Sequence, residues 1–343
     1  MRISNHRITA AEVARLAGVS QPTVSLVLSR NPKARVAPET RARVIKIAEE
    51  LGYRPNRLAQ ALVSRRSFAL GIIVPGFDNP FYAAVLSGAE KVAAAAGYAV
   101  LLAETSEVDA VQHLDAMRDR QIDGVIIAGI AVSTIPAAAL NQLNLVLINQ
   151  PSDRFATVGG DSNRAGALAA EHLLALGHRR VAFIGPANSI PAFRFRERGF
   201  VQALRTAGVS MPSELLQRAD PNVAGGISAM RTLLALSDRP TAVFCANDLV
   251  ALGAHKACAM GGVALPREIS LIGCDDIEMD RLVTPELSTI AVPQRELGAR
   301  AVRQLLKQLE SGDTLPPPSQ VLPVKLIARG TTGPAPVRGE KQS

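Results

Sequence analysis

At 343 residues the chain exceeds what one simple core holds, which predicts two or three domains. Apolar residues make up 48% of it, enough for a sizeable core, and no uninterrupted apolar run approaches the roughly 18 residues of a membrane span. The formal net charge is +8, but residues 1–66 alone hold 13 Lys and Arg against 4 Asp and Glu. This basic end predicts either a polyanion-binding segment or a solvated basic face.

The cysteine spacing and the N-terminal residues indicate the cellular compartment of the protein. Cys245, Cys258 and Cys274 have no CxxC spacing, so they predict neither a disulfide framework nor a zinc site. The N-terminal residues lack the apolar core of a secretory signal. We therefore expect a cytoplasmic protein with no metal and no membrane association.

Two short helices begin the chain. Thr9 and Glu12 have the spacing of a capping box, and Gly18 suits the left-handed position that ends a helix. Ser20 can cap a second helix, and Pro22 falls in its first turn, where a missing amide proton costs little. Two helices joined by a three-residue turn, with a polar outer face on the second, predict a DNA-binding helix-turn-helix. A simple helical hairpin with no specific function is the alternative.

A third helix and a short segment complete this basic head. The third helix is predicted from about Pro38 to Leu51, although Ala37 cannot accept hydrogen bonds at its start. After Pro55, Asn56 can cap a helix of only a few residues, at about 55–63. A helix this short is not stable alone in water, so we expect it to order only against a partner.

From Ala69 onward, apolar runs alternate with amphipathic stretches. The predicted strands are 70–74, 98–103, 124–128, 145–149, 180–185, 241–246, 270–276 and 321–327. The predicted helices are 81–96, 109–120, 133–142, 163–176, 194–207, 225–236, 248–260 and 294–311. Strands that alternate with helices predict parallel sheets, and two such sets predict two doubly wound lobes with a ligand cleft at the carboxyl ends of the strands.

Enzymatic motifs are missing from the sequence. It contains no G-x-G-x-x-G in a strand-to-helix turn, no P-loop, no HExxH and no GxSxG. A nicotinamide-dependent dehydrogenase is the main enzymatic alternative on fold grounds, and the missing glycine fingerprint argues against it. A solute-binding protein without a DNA role would carry a secretory signal and no basic head. We expect no catalytic residues and no cofactor.

Three stretches of the head carry a family resemblance. VARLAGVSQPTVSLVLS, APETRARV and LGYRPNRLAQAL closely resemble the headpiece of the lactose-repressor (LacI/GalR) family of bacterial transcription regulators, and the match continues to about residue 330. The resemblance implies an all-α headpiece followed by a two-lobed, doubly wound α/β core like that of periplasmic binding proteins. It also implies a homodimeric regulator, most often a repressor, that binds a palindromic operator and responds to a small molecule.

The resemblance also implies particular DNA contacts. The matched positions on the head are Thr9, Gln21, Pro22, Thr23, Ser25, Leu26 and Ser29, and those on the short hinge helix are Asn56, Ala59 and Leu62. Leu62 is the expected minor-groove wedge. Many family members have Arg where this chain has Leu26, and leucine cannot bind guanine as a bidentate arginine does. We therefore expect an operator that differs from the common family consensus at that step.

The matched effector positions lie at predicted strand ends and helix starts. They are Phe81, Tyr82, Asn149, Arg196, Asn247 and Asp275. Taken alone, a polar residue after a strand is more often a cap or turn residue. A cationic fork with amide and carboxylate acceptors suits a sugar, polyol or sugar acid. Arg194 and Arg198 would favour an acidic ligand if they faced the cleft; the alternative is that both face solvent.

The resemblance also implies the domain boundaries. The head covers residues 1–66 and the core residues 67–330. The first lobe is expected to contain about 67–161 and 292–320, and the second about 162–291 and 321–330. Residues 331–343 have no apolar period, which predicts a disordered tail.

Overall fold

A computed structural model describes residues 8–28, 36–53, 66–105, 109–141, 143–186, 190–311 and 319–336. The chain divides into two compact units, Met1–Ser67 and Phe68–Ser343. The predictions for Ser29, Asn56, Ala59 and Leu62, and for the hinge helix, lie outside the described residues. Within those ranges, no helix is both long and apolar enough to cross a membrane.

The described residues of the first unit form three helices around a small apolar core. They are α1 (Ala10–Ala17), α2 (Gln21–Leu28) and α3 (Pro38–Glu50). The predicted capping box is confirmed: the Glu12 amide donates to the Thr9 hydroxyl at 3.3 Å, and the Thr9 amide donates to the Glu12 carboxylate at 2.7 Å. Gly18 ends α1 with φ 63°. Arg43 ties α3 to this corner through a 2.9 Å hydrogen bond to the Ala17 carbonyl.

The second unit has two six-stranded sheets, which define its two lobes. The first sheet has the order β11-β5-β4-β3-β1-β2, and every neighbouring pair in it is parallel. Its strands are β1 (Ala69–Val74), β2 (Ala99–Glu104), β3 (Gly124–Ala128), β4 (Leu145–Ile148), β5 (Ala156–Gly160) and β11 (Gln320–Leu322). The helices of this lobe are α4 (Pro80–Ala95), α5 (Ala110–Asp119), α6 (Ala137–Leu140) and α11 (Gln294–Ser311).

The second sheet repeats the arrangement of the first. Its order is β12-β10-β9-β8-β6-β7, in which only the β10–β12 pair is antiparallel. Its strands are β6 (Val181–Gly185), β7 (Leu216–Arg218), β8 (Ala242–Cys245), β9 (Ser270–Asp275), β10 (Ser288–Ala291) and β12 (Lys325–Ile327). Its helices are α7 (Ser162–Ala175), α8 (Pro191–Thr206), α9 (Val223–Leu234) and α10 (Asp248–Met260).

Paired glycines allow three helix pairs to pack closely. A Cβ on Gly88 of α4 would lie 1.9 Å from the Arg295 carbonyl oxygen, and one on Gly298 of α11 would lie 1.9 Å from the Val85 carbonyl oxygen. The same reciprocal approach joins α7 to α8 and α9 to α10. Because each obstacle is backbone rather than a flexible side chain, these positions require glycine.

One predicted helix is wrong. In place of one helix over 133–142, the structure has a 3₁₀ turn at Val132–Thr134 and the four-residue helix α6. Pro136 lies between the two, and a proline disfavours helical geometry at the residue before it and removes an amide donor. Strands β5, β7 and β10 were not predicted, because each is short and only partly apolar in sequence.

The last predicted strand is also wrong as a single element. The stretch 321–327 forms two strands in different sheets: Val321 pairs with Gly159 in the first lobe, and Leu326 pairs with Ile290 in the second. The chain therefore passes between the lobes at Pro323–Val324, and not before residue 321. Pro323 has no amide proton for a strand ladder, which separates the two pairings.

The predicted disorder after residue 330 is wrong for residues 331–336. Thr331 is fully buried, and its hydroxyl donates to the Leu271 carbonyl at 2.7 Å and accepts from the Ser288 amide at 2.8 Å. Gly333 hydrogen-bonds to Ser270 at 3.0 Å, and the Ala335 amide donates to the Leu176 carbonyl. Polar and backbone bonds, rather than an apolar period, hold this C-terminal segment (329–336), so hydrophobic patterning did not indicate it.

Candidate functional site

The carboxyl ends of both sheets border one cleft between the lobes. The empty space in it is about 390 Å³ when space open to solvent is included, and only about 30 Å³ of it can hold the centre of a water molecule. Its lining residues from the first lobe are Asn79, Phe81, Tyr82, Ala128, Gly129, Ile148 and Asn149, and those from the second are Ile190, Ala192, Phe193, Arg196 and Asp275. Five of the six predicted effector residues line this cleft, and Asn247 does not.

A buried ion pair lies at the second-lobe side of the cleft. Arg196 Nη2 is 2.9 Å from Asp275 Oδ1, and the two side chains are only 4% and 6% exposed. Arg196 Nη1 donates to the Ala246 carbonyl. Within the described part of the chain, Nε of Arg196 is buried and has no hydrogen-bond partner. A buried donor without a partner costs free energy, so an acceptor brought to this nitrogen would be bound favourably.

Burial controls the protonation of the groups around this pair. It raises the pKa of Asp275 to about 7, although the adjacent Arg196 cation opposes the shift. Burial and the Asp275 charge also raise the pKa of the Tyr82 phenol, so that hydroxyl stays a donor at neutral pH. As the pH falls through about 7, the Asp275 carboxylate becomes protonated. It then loses the negative charge that attracts Arg196, and it becomes a weaker acceptor for a ligand hydroxyl.

Aromatic rings form the walls of the cleft. The rings of Phe81 and Tyr82 meet edge to face at the start of α4, with centroids 5.3 Å apart, and Asn79 caps that helix through the Phe81 amide. Gly129 makes room for the Tyr82 hydroxyl, because a Cβ there would lie 2.0 Å from its oxygen. Across the cleft, the Arg196 guanidinium lies 5.6 Å from the Phe193 ring. The cleft is thus mainly apolar with few polar groups, as in small-molecule sites.

The side chains of the two predicted asparagines, Asn149 and Asn247, form hydrogen bonds within the fold. Asn149 follows β4 with φ 59°, and its Oδ1 accepts from the Gly160 amide at 2.9 Å. Asn247 caps α10 by accepting from the Val250 amide at 2.9 Å, while its Nδ2 donates to the Pro221 carbonyl at 3.1 Å. Both amide atoms of Asn247 are therefore already bonded, and its effector role stays a prediction.

Sequence reasoning missed several lining residues. Asn79, Ile190 and Phe193 were not predicted, although Phe193 lies three positions before Arg196 and so on the same face of α8. Arg194 and Arg198 are exposed and do not line the cleft, and Arg198 donates to Asn163 at 3.2 Å. No group of His, Cys, Asp and Glu side chains in the described ranges could hold a metal ion.

Helix α2 presents an exposed polar face in the first unit. Gln21, Pro22 and Ser25 are exposed, and Leu26 is 44% exposed, while Val24 and Val27 pack inside. Thr23 is half-buried, and its hydroxyl lies 2.8 Å from that of Ser20 at the start of the helix. Thr9 is exposed but already serves as the cap of α1. This is the geometry of a recognition helix, and the individual DNA contacts stay predictions.

A helix-turn-helix unit together with a two-lobed α/β unit defines a class of ligand-responsive transcription regulators. Residues 9–56 match the family described as bacterial regulatory proteins, lacI family, and residues 170–332 match the periplasmic binding protein-like domain. The chain is 35% identical over 333 residues to the HTH-type transcriptional repressor CytR of Escherichia coli K12, covering 94% of this chain and 96% of that one. It is 33% identical to the ribose operon repressor of Haemophilus influenzae, covering 88% and 92%. The chain belongs to the lacI family of bacterial regulatory proteins.

Solved structures agree with this assignment. The lac repressor dimer bound to operator and the anti-inducer ONPF has a TM-score of 0.80 at 28% identity, covering 95% of this chain and 99% of that one. A lacI-family regulator of Enterococcus faecium with bound ribose has a TM-score of 0.71 at 28% identity, covering 78% and 99%. The predicted family and fold class are confirmed. The curated relatives are transcriptional repressors, which are not enzymes.

Proposed function

We propose that this protein is a homodimeric transcriptional repressor that binds a palindromic operator and is controlled by a neutral small molecule in the cleft between its lobes. The observation that carries the proposal is the buried Arg196–Asp275 pair, which lines a mainly apolar cleft and in which Arg196 Nε has no hydrogen-bond partner among the described residues. Its place in the same chain as a recognition helix links ligand binding to DNA binding. Relatives that are named repressors support the direction of control.

Exposed residues of α2 would contact the major groove. The amide of Gln21 can donate and accept at a base edge, and Ser25 can do either at a base or a phosphate. Leu26 offers only an apolar surface, which suits the methyl group of a thymine. Thr9, Pro22, Thr23 and Ser29 would complete the contact surface, and Asn56, Ala59 and Leu62 would contact the minor groove, with Leu62 as the wedge.

The cleft favours a neutral ligand over an acidic one. Asp275 pairs with Arg196, and each terminal nitrogen of that guanidinium donates one hydrogen bond within the protein. Each terminal nitrogen keeps a second N–H group, but a second carboxylate would lie beside the buried carboxylate of Asp275, and like charges at one site disfavour each other. Because Arg194 and Arg198 are exposed, they do not supply a replacement charge. A sugar or similar polyol could accept from Nε, donate to Asp275 and place an apolar face on Phe193.

Control would operate through the arrangement of the lobes. Three chain passages join the two sheets, after β5, after β10 and at Pro323–Val324. We assign residues 1–66 to the DNA-binding head. The first lobe would contain residues 67–161 and 292–322, which include α11. The second lobe would contain residues 162–291 and 325–336. A ligand shifts the equilibrium between two lobe arrangements only by its different affinity for each. Such a regulator acts on chromosomal DNA, which places it in the cytoplasm.

Operator binding is tested by selecting a binding site from random DNA and measuring affinity at several salt concentrations. We expect a palindromic site and a log–log salt slope of several units, because phosphate contacts release counterions. The variant Gln21→Ala should lose specific affinity while keeping non-specific binding. Recovery of no preferred sequence would contradict the proposal and favour a solute-binding protein without a DNA role.

Ligand class is tested by thermal shift with matched pairs, each a sugar and its aldonic acid, including ribose, glucose and cellobiose. Stabilisation should be confined to neutral members and should disappear in Arg196→Met. A larger shift with an acid than with its neutral partner would contradict the neutral-ligand proposal.

A further inference from the structure

The carboxylate of Asp275 is presented by an unusual turn. Asp275 has φ 139° and the next residue, Asp276, has φ 60°, both in the region that normally favours glycine. Such conformations persist only where the surroundings hold them, and they cluster at functional sites. This turn directs the Asp275 carboxylate toward Arg196, so the groups that hold the turn also determine the position of that carboxylate.

Asp248 supplies the bonds that hold the turn. It is fully buried in the first turn of α10, and its Oδ2 accepts from the Asp276 amide at 2.6 Å and from the Ile277 amide at 3.2 Å. Its Oδ1 accepts from the Thr289 hydroxyl at 2.6 Å. These bonds join α10, the turn after β9 and strand β10 at one carboxylate.

This carboxylate does not serve as the helix cap. Asn247 caps α10 through the Val250 amide, so the Asp248 side chain is available for the neighbouring turn. Space has also been made for it: a Cβ on Gly273 would lie 2.1 Å from Asp248 Oδ1. Both observations indicate a site shaped around the carboxylate rather than a helix start that happens to be acidic.

A second buried carboxyl group lies beside Asp248. Asp280 is fully buried, and within the described chain neither of its oxygens has an ordinary hydrogen-bond donor. Burial and the Asp248 charge raise the pKa of Asp280 to about 10, although Arg329 at 3.8 Å opposes the shift. Three hydrogen bonds donated to Asp248 favour its ionised form, so the proton of this pair belongs on Asp280 and Asp248 is the acceptor. Arg329 also pairs with Asp276, from the other side of the turn.

We propose that Asp248 is a positioning residue of the effector site: by accepting the Asp276 and Ile277 amides, it fixes the turn that directs Asp275 toward Arg196 and the cleft. The functional meaning rests on the proposed role of the cleft. The positioning itself is a property of the unliganded protein and can be measured without an effector.

The test uses NMR on the full-length protein labelled uniformly with ¹⁵N. In Asp248→Ala, loss of the acceptor should raise hydrogen exchange at the Asp276 and Ile277 amides at least about tenfold. The amides of Leu271–Cys274 in β9 should stay protected. The Arg196 Nε–H resonance should move in the direction seen in Asp275→Asn, because both changes disturb the same ion pair.

Two variants distinguish a positioning role of Asp248 from a general loss of folded structure. Asp248→Asn can still accept both amides through Oδ1 and donate to Thr289, so it should restore protection to within about threefold of the wild type. Thr289→Val removes the third donor and should leave the turn amides protected. If Asp248→Ala does not fold, Asp248→Ser provides the same comparison.

The proposal is overturned if the Asp276 and Ile277 amides keep wild-type protection without the carboxylate, or if all of β9 loses protection equally. Failure of every compound in the thermal-shift panel would leave this result intact and count only against the proposed ligand class.

Discussion

The substitution Asp280→Asn should stabilise the protein increasingly as pH rises. The pKa of Asp280 rises from 3.8 to about 10 because the group is buried beside Asp248. The folded state therefore keeps a proton that the unfolded chain releases above pH 3.8, and this group's contribution to stability falls as pH rises between those two values. Asparagine keeps a donor toward Asp248 and cannot ionise in either state, so it removes the dependence.

The magnitude follows from the proton difference. One proton changes the free energy of unfolding by about 1.4 kcal/mol per pH unit, which corresponds to a cost of about 4 kcal/mol at pH 7 in the wild type. For a unit of this size the melting temperature moves by about 2 °C per kcal/mol, so the difference between variant and wild type should grow by about 3 °C per pH unit.

The measurement is a set of thermal melts of both proteins between pH 5 and 9. Asp153→Asn, at an exposed position, is the matched control and should melt in parallel with the wild type. A temperature difference between Asp280→Asn and wild type that is constant across this range would refute the assignment of the buried proton to Asp280.

Three further substitutions test packing, the C-terminal segment and base recognition. Gly88→Ala should lower the free energy of unfolding by about 3 kcal/mol, because the added Cβ meets the Arg295 carbonyl; Gly76→Ala, whose nearest atom is 3.7 Å away, should change it little in the same urea titration. Thr331→Val should cost about 2 kcal/mol by removing two buried hydrogen bonds, and equal melting curves would contradict this. Leu26→Arg should shift one selected operator step toward guanine, as sequencing of the selected sites would show.

Local chemistry made the first two helices and most of the buried strands predictable from sequence. The Thr9 capping box and Gly18 define the first helix through interactions within a few residues. The apolar runs of both lobes are long enough to be recognised as buried parallel strands, whereas Asn149 and Asp275 were assigned to the effector site by the family resemblance, and both line the cleft. Structural features that depend on residues close together in the chain can therefore be predicted from the sequence.

The parts that escaped prediction depend on residues far apart in the chain. Asp248, Asp280 and Arg329 form one buried group that no local spacing indicates. Strands β11 and β12 are each three residues long, and their sheets are decided by distant partners. Asn247 shows the converse: a residue placed at the effector by resemblance is occupied as a helix cap.

The ordered C-terminal segment changes how genetic lesions near the end of the coding region should be interpreted. A stop codon after residue 328 would spare every helix and strand that the structure describes, yet it would remove Thr331 and Arg329 from the second lobe. Ser270, Ser288 and His178 would then lose bonding partners inside the fold. Nonsense and frameshift alleles in these last codons should therefore behave as loss-of-function alleles, with derepressed target genes, while those beyond Pro336 need not.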